Sequence, residues 1–179
     1  MLKKEETALV MIDFQEKLFQ VMQDKEPLLK NALKIIQGAQ ALGIPILWTE
    51  QNPKGMGATL PEIAVLLKDT DPISKMCFSC CENDLFMQKL SALNRRQVLV
   101  GGIETHICVY QTAADLVKRG YEVEILADVV SSRTPADRQI GLQKTKDAGA
   151  SATSVETALF ELLKTAESED FRPILKIIK

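Results

Sequence analysis

Three side chains far apart in the sequence carry the groups an acyl-transfer centre needs: the carboxyl of Asp13, the ammonium of Lys75 and the thiol of Cys108. Each belongs to a segment built around an apolar run. ALVMIDF (8–14) reaches Asp13, ISKMCF (73–78) contains Lys75, and QVLVGGI (97–103) passes through two glycines towards Cys108. A thiol near a helix start meets the positive end of the helix dipole and unpaired backbone N–H groups, and a neighbouring ammonium acts in the same sense, so both favour thiolate. The usual histidine base is missing: His106, the only histidine, stands two residues before Cys108, about 200° away around a helix. The thiol proton is therefore assigned to Asp13, which would take it and later deliver it to a leaving amine while Lys75 holds both anionic forms in place. The turn 102–108 offers backbone N–H groups for an oxyanion.

Bringing three such groups together requires a fold that collects strand ends. Apolar runs at 8–14, 44–50, 73–78, 97–103, 121–130 and 150–155 alternate with helical periodicity at 27–41, 84–93, 105–119, 135–148 and 156–165. Consecutive apolar residues indicate strands buried on both faces, and the alternation implies right-handed crossovers onto a parallel sheet. The pattern predicts a three-layer α/β/α architecture with a six-stranded, mostly parallel, Rossmann-like sheet, residues 1–179 forming a single domain. Ligands in such sheets bind beyond the carboxyl ends of the strands, where the three residues fall. The stretch 51–72 is the only long glycine- and proline-bearing excursion and is read as a candidate lid. In DFRPILKIIK (170–179), Ile174, Leu175, Ile177 and Ile178 need cover from the domain itself or from a second subunit.

Composition narrows the partners. With 22 basic and 24 acidic residues the net charge is -2, which provides no field to recruit nucleic acid or a membrane surface, and leaves a small neutral or weakly charged molecule as the expected ligand. The apolar stretch before Asp13 is too short for a signal-peptide core or a membrane span, so a cytoplasmic protein is expected. Three of the four cysteines crowd into Cys77-Phe-Ser-Cys80-Cys81, unlike a secreted disulfide framework, so reduced thiols are expected. The C-x-x-C spacing of Cys77 and Cys80 also permits a thiol–disulfide reading, whereas a four-thiolate zinc site would need Cys108 to join the cluster.

Taken in order, the three segments resemble the isochorismatase-like cysteine hydrolases over nearly the whole chain. Asp13-Phe14-Gln15 matches a D-x-Q pattern after strand one, Lys75 a lysine after strand three, and Gly102-Ile-Glu-Thr105-His-Ile-Cys108-Val109 a G-x-x-T-x-x-C-V segment after strand four. The segments 49–57 and 131–133 are similar to those of a subgroup whose substrates are mostly unassigned. The resemblance implies a sheet order of 3-2-1-4-5-6, an Asp–Lys–Cys triad, a homo-oligomer, and a non-proline cis peptide carried by position onto Ile103–Glu104, with the N–H groups of Glu104 and Cys108 facing the oxyanion. It implies no cofactor. Nicotinamidases of this family hold a metal with an Asp and histidines after strand two, but Thr49-Glu-Gln-Asn-Pro-Lys-Gly55 contains no histidine, so no metal is expected. Isochorismate-cleaving members commonly lack the cysteine, so its presence implies cleavage of an amide-like C–N bond through a thioester. Leu18, Phe19, Trp48, Gln51 and Glu104 are the candidate pocket residues, Glu104 standing where many relatives carry a small side chain. Two readings from other classes stay open: a catalytically silent binding or assembly module using surfaces such as 171–179, and a redox protein using Cys77 and Cys80.

Overall fold

Side-chain alternation along one strand sets the layering. In β1 (Thr7–Ile12) every residue is buried. Leu9 and Met11 enter one apolar cluster, while Ala8, Val10 and Ile12 enter another, the period-two signature of a strand covered on both faces. The computed structural model describes residues 1–179. After β1 come α1 (Glu16–Gln20), α2 (Lys25–Ala41), β2 (Ile46–Gln51), α3 (Pro53–Met56), α4 (Pro61–Ala64), β3 (Ile73–Lys75), α5 (Asp84–Ala92) and β4 (Gln97–Ile103). Then follow α6 (Tyr110–Lys118), β5 (Glu122–Ser131), α7 (Pro135–Asp147), β6 (Ser151–Thr153), α8 (Val155–Leu163) and α9 (Phe171–Ile178).

The sheet order is β3-β2-β1-β4-β5-β6, as expected, and every pairing is parallel. Residues of α2, α8 and α9 cover one face, where Leu28, Ala32, Ile35, Ile36 and Ala39 of α2 recur at helical spacing. On the other face Phe86 and Leu90 of α5 and Ala113 and Leu116 of α6 pack on β1 and β4. None of the helices is long and apolar enough to cross a membrane.

Several boundaries depart from the sequence expectation for local reasons. Strand β3 stops at Lys75 rather than 78, because Ser79 accepts a hydrogen bond from the Cys81 N–H and starts a tight turn over Cys80–Glu82. The stretch 51–72 is bound to the sheet rather than hanging over it. Thr59 bridges to Gln15, and Glu50 Oε1 accepts from both the N–H and the hydroxyl of Thr59 at 2.8 and 2.7 Å. The chain itself supplies the cover for its last helix: Ile174 of α9 is fully buried, Ile177 and Ile178 pack beside it, and Lys34 Nζ donates to the Ile178 carbonyl.

Strands β4 and β5 shift register, with Val100 opposite Ile125 but Gly102 opposite Val130. At Gly102, with φ of +155°, a side chain would have no room, since a Cβ would lie 2.5 Å from Ile12 Cβ and 2.6 Å from the Ile12 carbonyl oxygen. Overpacking of this kind costs about 1–3 kcal/mol where neighbours can shift, and here one neighbour is backbone. Gly102→Ala is therefore expected to lower Tm by roughly 6–12 °C in a thermal melt, the upper cost of about 3 kcal/mol applying where backbone cannot yield and a 1 kcal/mol loss moving a chain of this size by roughly 2–4 °C.

Candidate active site

Asp13 is the first residue past β1 and adopts φ of 55°, a left-handed conformation that aspartate tolerates better than most residues. Its N–H donates to the Thr49 carbonyl at 3.2 Å. The carboxylate is fully enclosed: Oδ1 accepts from the Thr49 hydroxyl at 2.7 Å, and Oδ2 from Lys75 Nζ at 2.7 Å. Lys75 ends β3, two strands away, and its side chain is as completely buried as that of Asp13. Its ammonium also donates to Gln51 Oε1 at 2.7 Å and faces the carbonyls of Cys77 and Phe78 at 3.3 and 3.4 Å. Burial opposes the Lys75 charge, but the Asp13 carboxylate, helped by Cys80 and Cys108, outweighs it and raises the lysine above its ordinary value.

Cys108 reaches this pair from the other side of the crevice. It sits not in a regular α-helical turn but in a single π-helical turn, Thr105–Val109, closed by the Val109 N–H donating to the Glu104 carbonyl at 3.2 Å. The Ile103–Glu104 peptide bond before it is cis. Thr105 Oγ1 donates to the Ser131 carbonyl at 2.9 Å, and His106 Nδ1 pairs with Ser132 Oγ at 3.0 Å. From behind, Gly141 of α7 comes so close that a Cβ there would lie 2.6 Å from the His106 nitrogen and the Thr105 carbonyl carbon.

The surroundings of Cys108 act against the thiolate that the helix start and Lys75 would favour. Burial pushes the Cys108 thiol up and the Asp13 charge adds to it, while Lys75 only partly opposes them. The physical reason is that the lysine charge is already matched by Asp13 at 2.7 Å. Burial and the Asp13 charge thus favour the neutral thiol over the thiolate at Cys108.

A cavity of about 360 Å³ opens onto Cys108. Leu18, Met56, Met76, Phe78 and Ile107 make most of its wall apolar, and Gln51, Asn52 and Glu104 add polar groups. Leu18, Gln51 and Glu104 thus face the cavity, but two other candidates do not. Trp48 stands three residues before the end of β2, about 10 Å down the strand. It is packed in the core, with Nε1 donating to Thr70 Oγ1 at 3.1 Å, and borders a separate cavity. Phe19 turns about 100° away from Leu18 around α1 and packs on the core instead.

Sequence reasoning gave no role to Gln15, whose carboxamide binds Gln51 as a strand would, accepting from its N–H at 2.7 Å and donating to its carbonyl at 2.9 Å. The same amide donates to the Gly57 carbonyl at 2.7 Å. The signal lies in the D-x-Q pattern of Asp13-Phe14-Gln15, which carries the resemblance without giving Gln15 a role. Thr49, Asn52, Met56, Met76, Phe78 and Ile107 were missed as well. Met76 and Phe78 could have been found from their alternation after Lys75. All four cysteines are free. Burial pushes Cys80 up to about 12 and Cys81 up to about 11, which leaves neither poised for thiol exchange. No group of three or more His, Cys, Asp or Glu side chains gathers in a way that could hold a metal ion.

Comparison with known proteins places this geometry in context. The isochorismatase domain matches residues 7–157. Isochorismatase domain-containing protein 2A of Mus musculus is 35% identical over 176 residues, covering 98% of this chain and 84% of its own length. The MAR1 ribonuclease of Caenorhabditis elegans superposes with a TM-score of 0.93 at 32% identity, over 99% of this chain and 91% of that one. The YcaC gene product of Escherichia coli, an octameric hydrolase of unknown specificity, superposes with a TM-score of 0.93 at 20% identity, over 98% and 89% of the two chains.

Because burial and Asp13 raise the thiol, the thiolate fraction of Cys108 is small at neutral pH and grows with each pH step. Alkylation of Cys108 by iodoacetamide, followed by peptide mass spectrometry, is expected to accelerate from pH 7 to about pH 10 without a plateau, the ordinary thiol levelling near its value of about 8.5. Lys75→Met removes the one opposing charge and is expected to slow the reaction throughout that range. It also strands a buried carboxylate, so a loss of roughly 3–5 kcal/mol should appear in denaturant melts.

Proposed function

The chain belongs to the isochorismatase family, and on that premise we propose that it is a cysteine-dependent hydrolase that cleaves an amide-like C–N bond of a small molecule through a thioester. The observation that carries this reading is the dry Asp13–Lys75 pair acting on a cysteine in the wall of an apolar cavity. The family supplies the hydrolase class; the residue roles and the bond are our assignment.

The substrate carbonyl sits over the Cys108 sulfur. As sulfur attacks the carbonyl carbon, its proton passes to Asp13, and Lys75 stays against whichever of the two groups is anionic. The oxyanion is assigned to the N–H groups of Glu104 and Cys108; the Glu104 N–H has no backbone acceptor of its own. The intermediate collapses with cleavage of the C–N bond, and Asp13 returns the proton to the departing amine. Water then attacks the thioester, Asp13 takes its proton, and the carboxylic acid leaves as the thiol is restored. No basic side chain lines the cavity, which suits a small uncharged molecule better than a phosphodiester. We assign the enzyme a homo-oligomeric state, in line with its octameric structural relative.

A panel of small amides, ureas and carbamoyl compounds, assayed for ammonia release, tests the proposal. At least one member should turn over, with Cys108→Ala and Asp13→Asn each lowering kcat by about 10³-fold or more and Cys77→Ser and Cys80→Ser leaving it within about twofold. Turnover surviving in Cys108→Ala would sink the nucleophile assignment. No turnover of any member, with slow labelling of every cysteine, would instead favour a silent binding module.

A further inference from the structure

The cavity holds one charged side chain whose purpose the proposed reaction does not use. We propose that the Glu104 carboxylate selects the substrate, accepting a hydrogen bond from an N–H donor beside the scissile carbonyl, so that amide, urea or amine groups are taken there and carboxylates are rejected. This deepens the hydrolase reading above and rests on it for its biological meaning, although the selectivity itself is a property of the cavity.

Glu104 is about nine-tenths buried, with its side chain at 10% exposure, and lies in the same cavity wall as Cys108. Only one of its oxygens is occupied: Oε2 accepts from Arg133 Nε at 3.0 Å and from the Arg133 N–H at 3.3 Å. That double contact fixes the orientation of the carboxylate. The only fully shielded side-chain polar atom without a partner is Thr153 Oγ1, so Oε1, which has no partner in the chain, keeps some accessibility, and Glu104 is itself a residue of the cavity wall. Gln51 cannot serve in its place, because its Oε1 is taken by Lys75 and its Nε2 by the Met76 carbonyl. Asn52 contributes a neutral amide only. The balancing charge on Arg133 is 57% exposed, so water weakens its offset without removing it, whereas the Glu104 side chain is nine-tenths buried in the wall of a mostly apolar cavity, where its field is stronger. An anion placed over Cys108 would meet that field with no basic lining residue to offset it.

Iodoacetamide and iodoacetate are nearly equal in size and differ at the group that would face Glu104, one an uncharged primary amide and the other a carboxylate. Their rates at Cys108 are measured on the full chain at pH 9 by peptide mass spectrometry and referred to the same pair of rates on free N-acetylcysteine. The wild type is expected to favour iodoacetamide by about tenfold or more beyond the free thiol, a single unscreened charge being worth that much. Glu104→Gln should bring the preference to within about twofold of the free thiol, and Arg133→Met, which leaves the carboxylate uncompensated, should widen it. A wild-type ratio equal to that of the free thiol, or a ratio unmoved by both substitutions, overturns the proposal; should Glu104→Gln fail to fold, the Arg133→Met arm decides alone. Selective alkylation without any ammonia release from the amide panel would overturn the hydrolase reading while leaving the Glu104 selectivity standing, and turnover with no amide-over-carboxylate preference would do the reverse.

Discussion

The constraint on which the rest of this structure depends is a pair of opposite charges placed where water does not reach. Taking a carboxylate and an ammonium out of water costs several kcal/mol per ion, and their mutual attraction offsets this only when every remaining lone pair and proton has a partner. Around Asp13 and Lys75 those partners are supplied by the Thr49 hydroxyl, the Gln51 carboxamide and the carbonyls of Cys77 and Phe78. Three strand ends must therefore lie side by side. The sheet order sets β2 between β1 and β3, so the lysine has to pass over a whole strand to meet its aspartate, which its long stem permits and a shorter cation would not. Strand β3 needs only three residues to deliver it. Gln15 and Glu50 then tie residues 57 and 59 across the opening, which turns a glycine- and proline-bearing excursion into part of the wall.

Cys108 is held by an independent set of contacts on the other side of the crevice. Thr105 and His106 are tethered to Ser131 and Ser132 at the end of β5, and Gly141 of α7 presses on the same turn. In the proposed reaction this division matters because a proton moved from sulfur to Asp13 leaves the net charge of the dry site unchanged. Before the transfer the anion is the carboxylate, and after it the sulfur. Lys75 is within the field of both, so the buried charge balance survives the step without water having to enter. A resting thiol is then not an obstacle to catalysis but the state from which a balanced transfer can start.

What the amino-acid order revealed, and what it hid, divides along the same line. The apolar runs feeding Asp13, Lys75 and Gly102 announce strands buried on both faces, and the rule that ligands gather at strand ends leads straight to the crevice. Contacts between elements leave no such trace. Nothing in the periodicity around Gly141 shows that this glycine, on a largely polar helix, is the surface against which Thr105 and His106 rest. Glu104 and Arg133 are 29 residues apart with no shared pattern, and only the register shift of β5 brings the second beside the first. Trp48 shows the opposite failure. An aromatic residue near a strand end reads equally well as pocket or core, and its position three residues short of that end decides for the core.

The site is thus built in two parts with different tolerances. Its polar floor is tightly coupled: losing Thr49 leaves Asp13 Oδ1 without a partner, and losing Lys75 leaves Oδ2 without one. The rim is the reverse. Met76 and Phe78 are 72% and 54% exposed, Met56 and Leu18 complete the apolar wall, and none of the four side chains makes a hydrogen bond there. Thioether and aromatic side chains of this kind accommodate many shapes at similar free energy, and exchanging one for another disturbs nothing beneath. The floor can therefore stay fixed while the rim residues and the single carboxylate of Glu104 are exchanged. Exchanges at the rim reshape what the cavity can admit without disturbing the buried polar contacts under it.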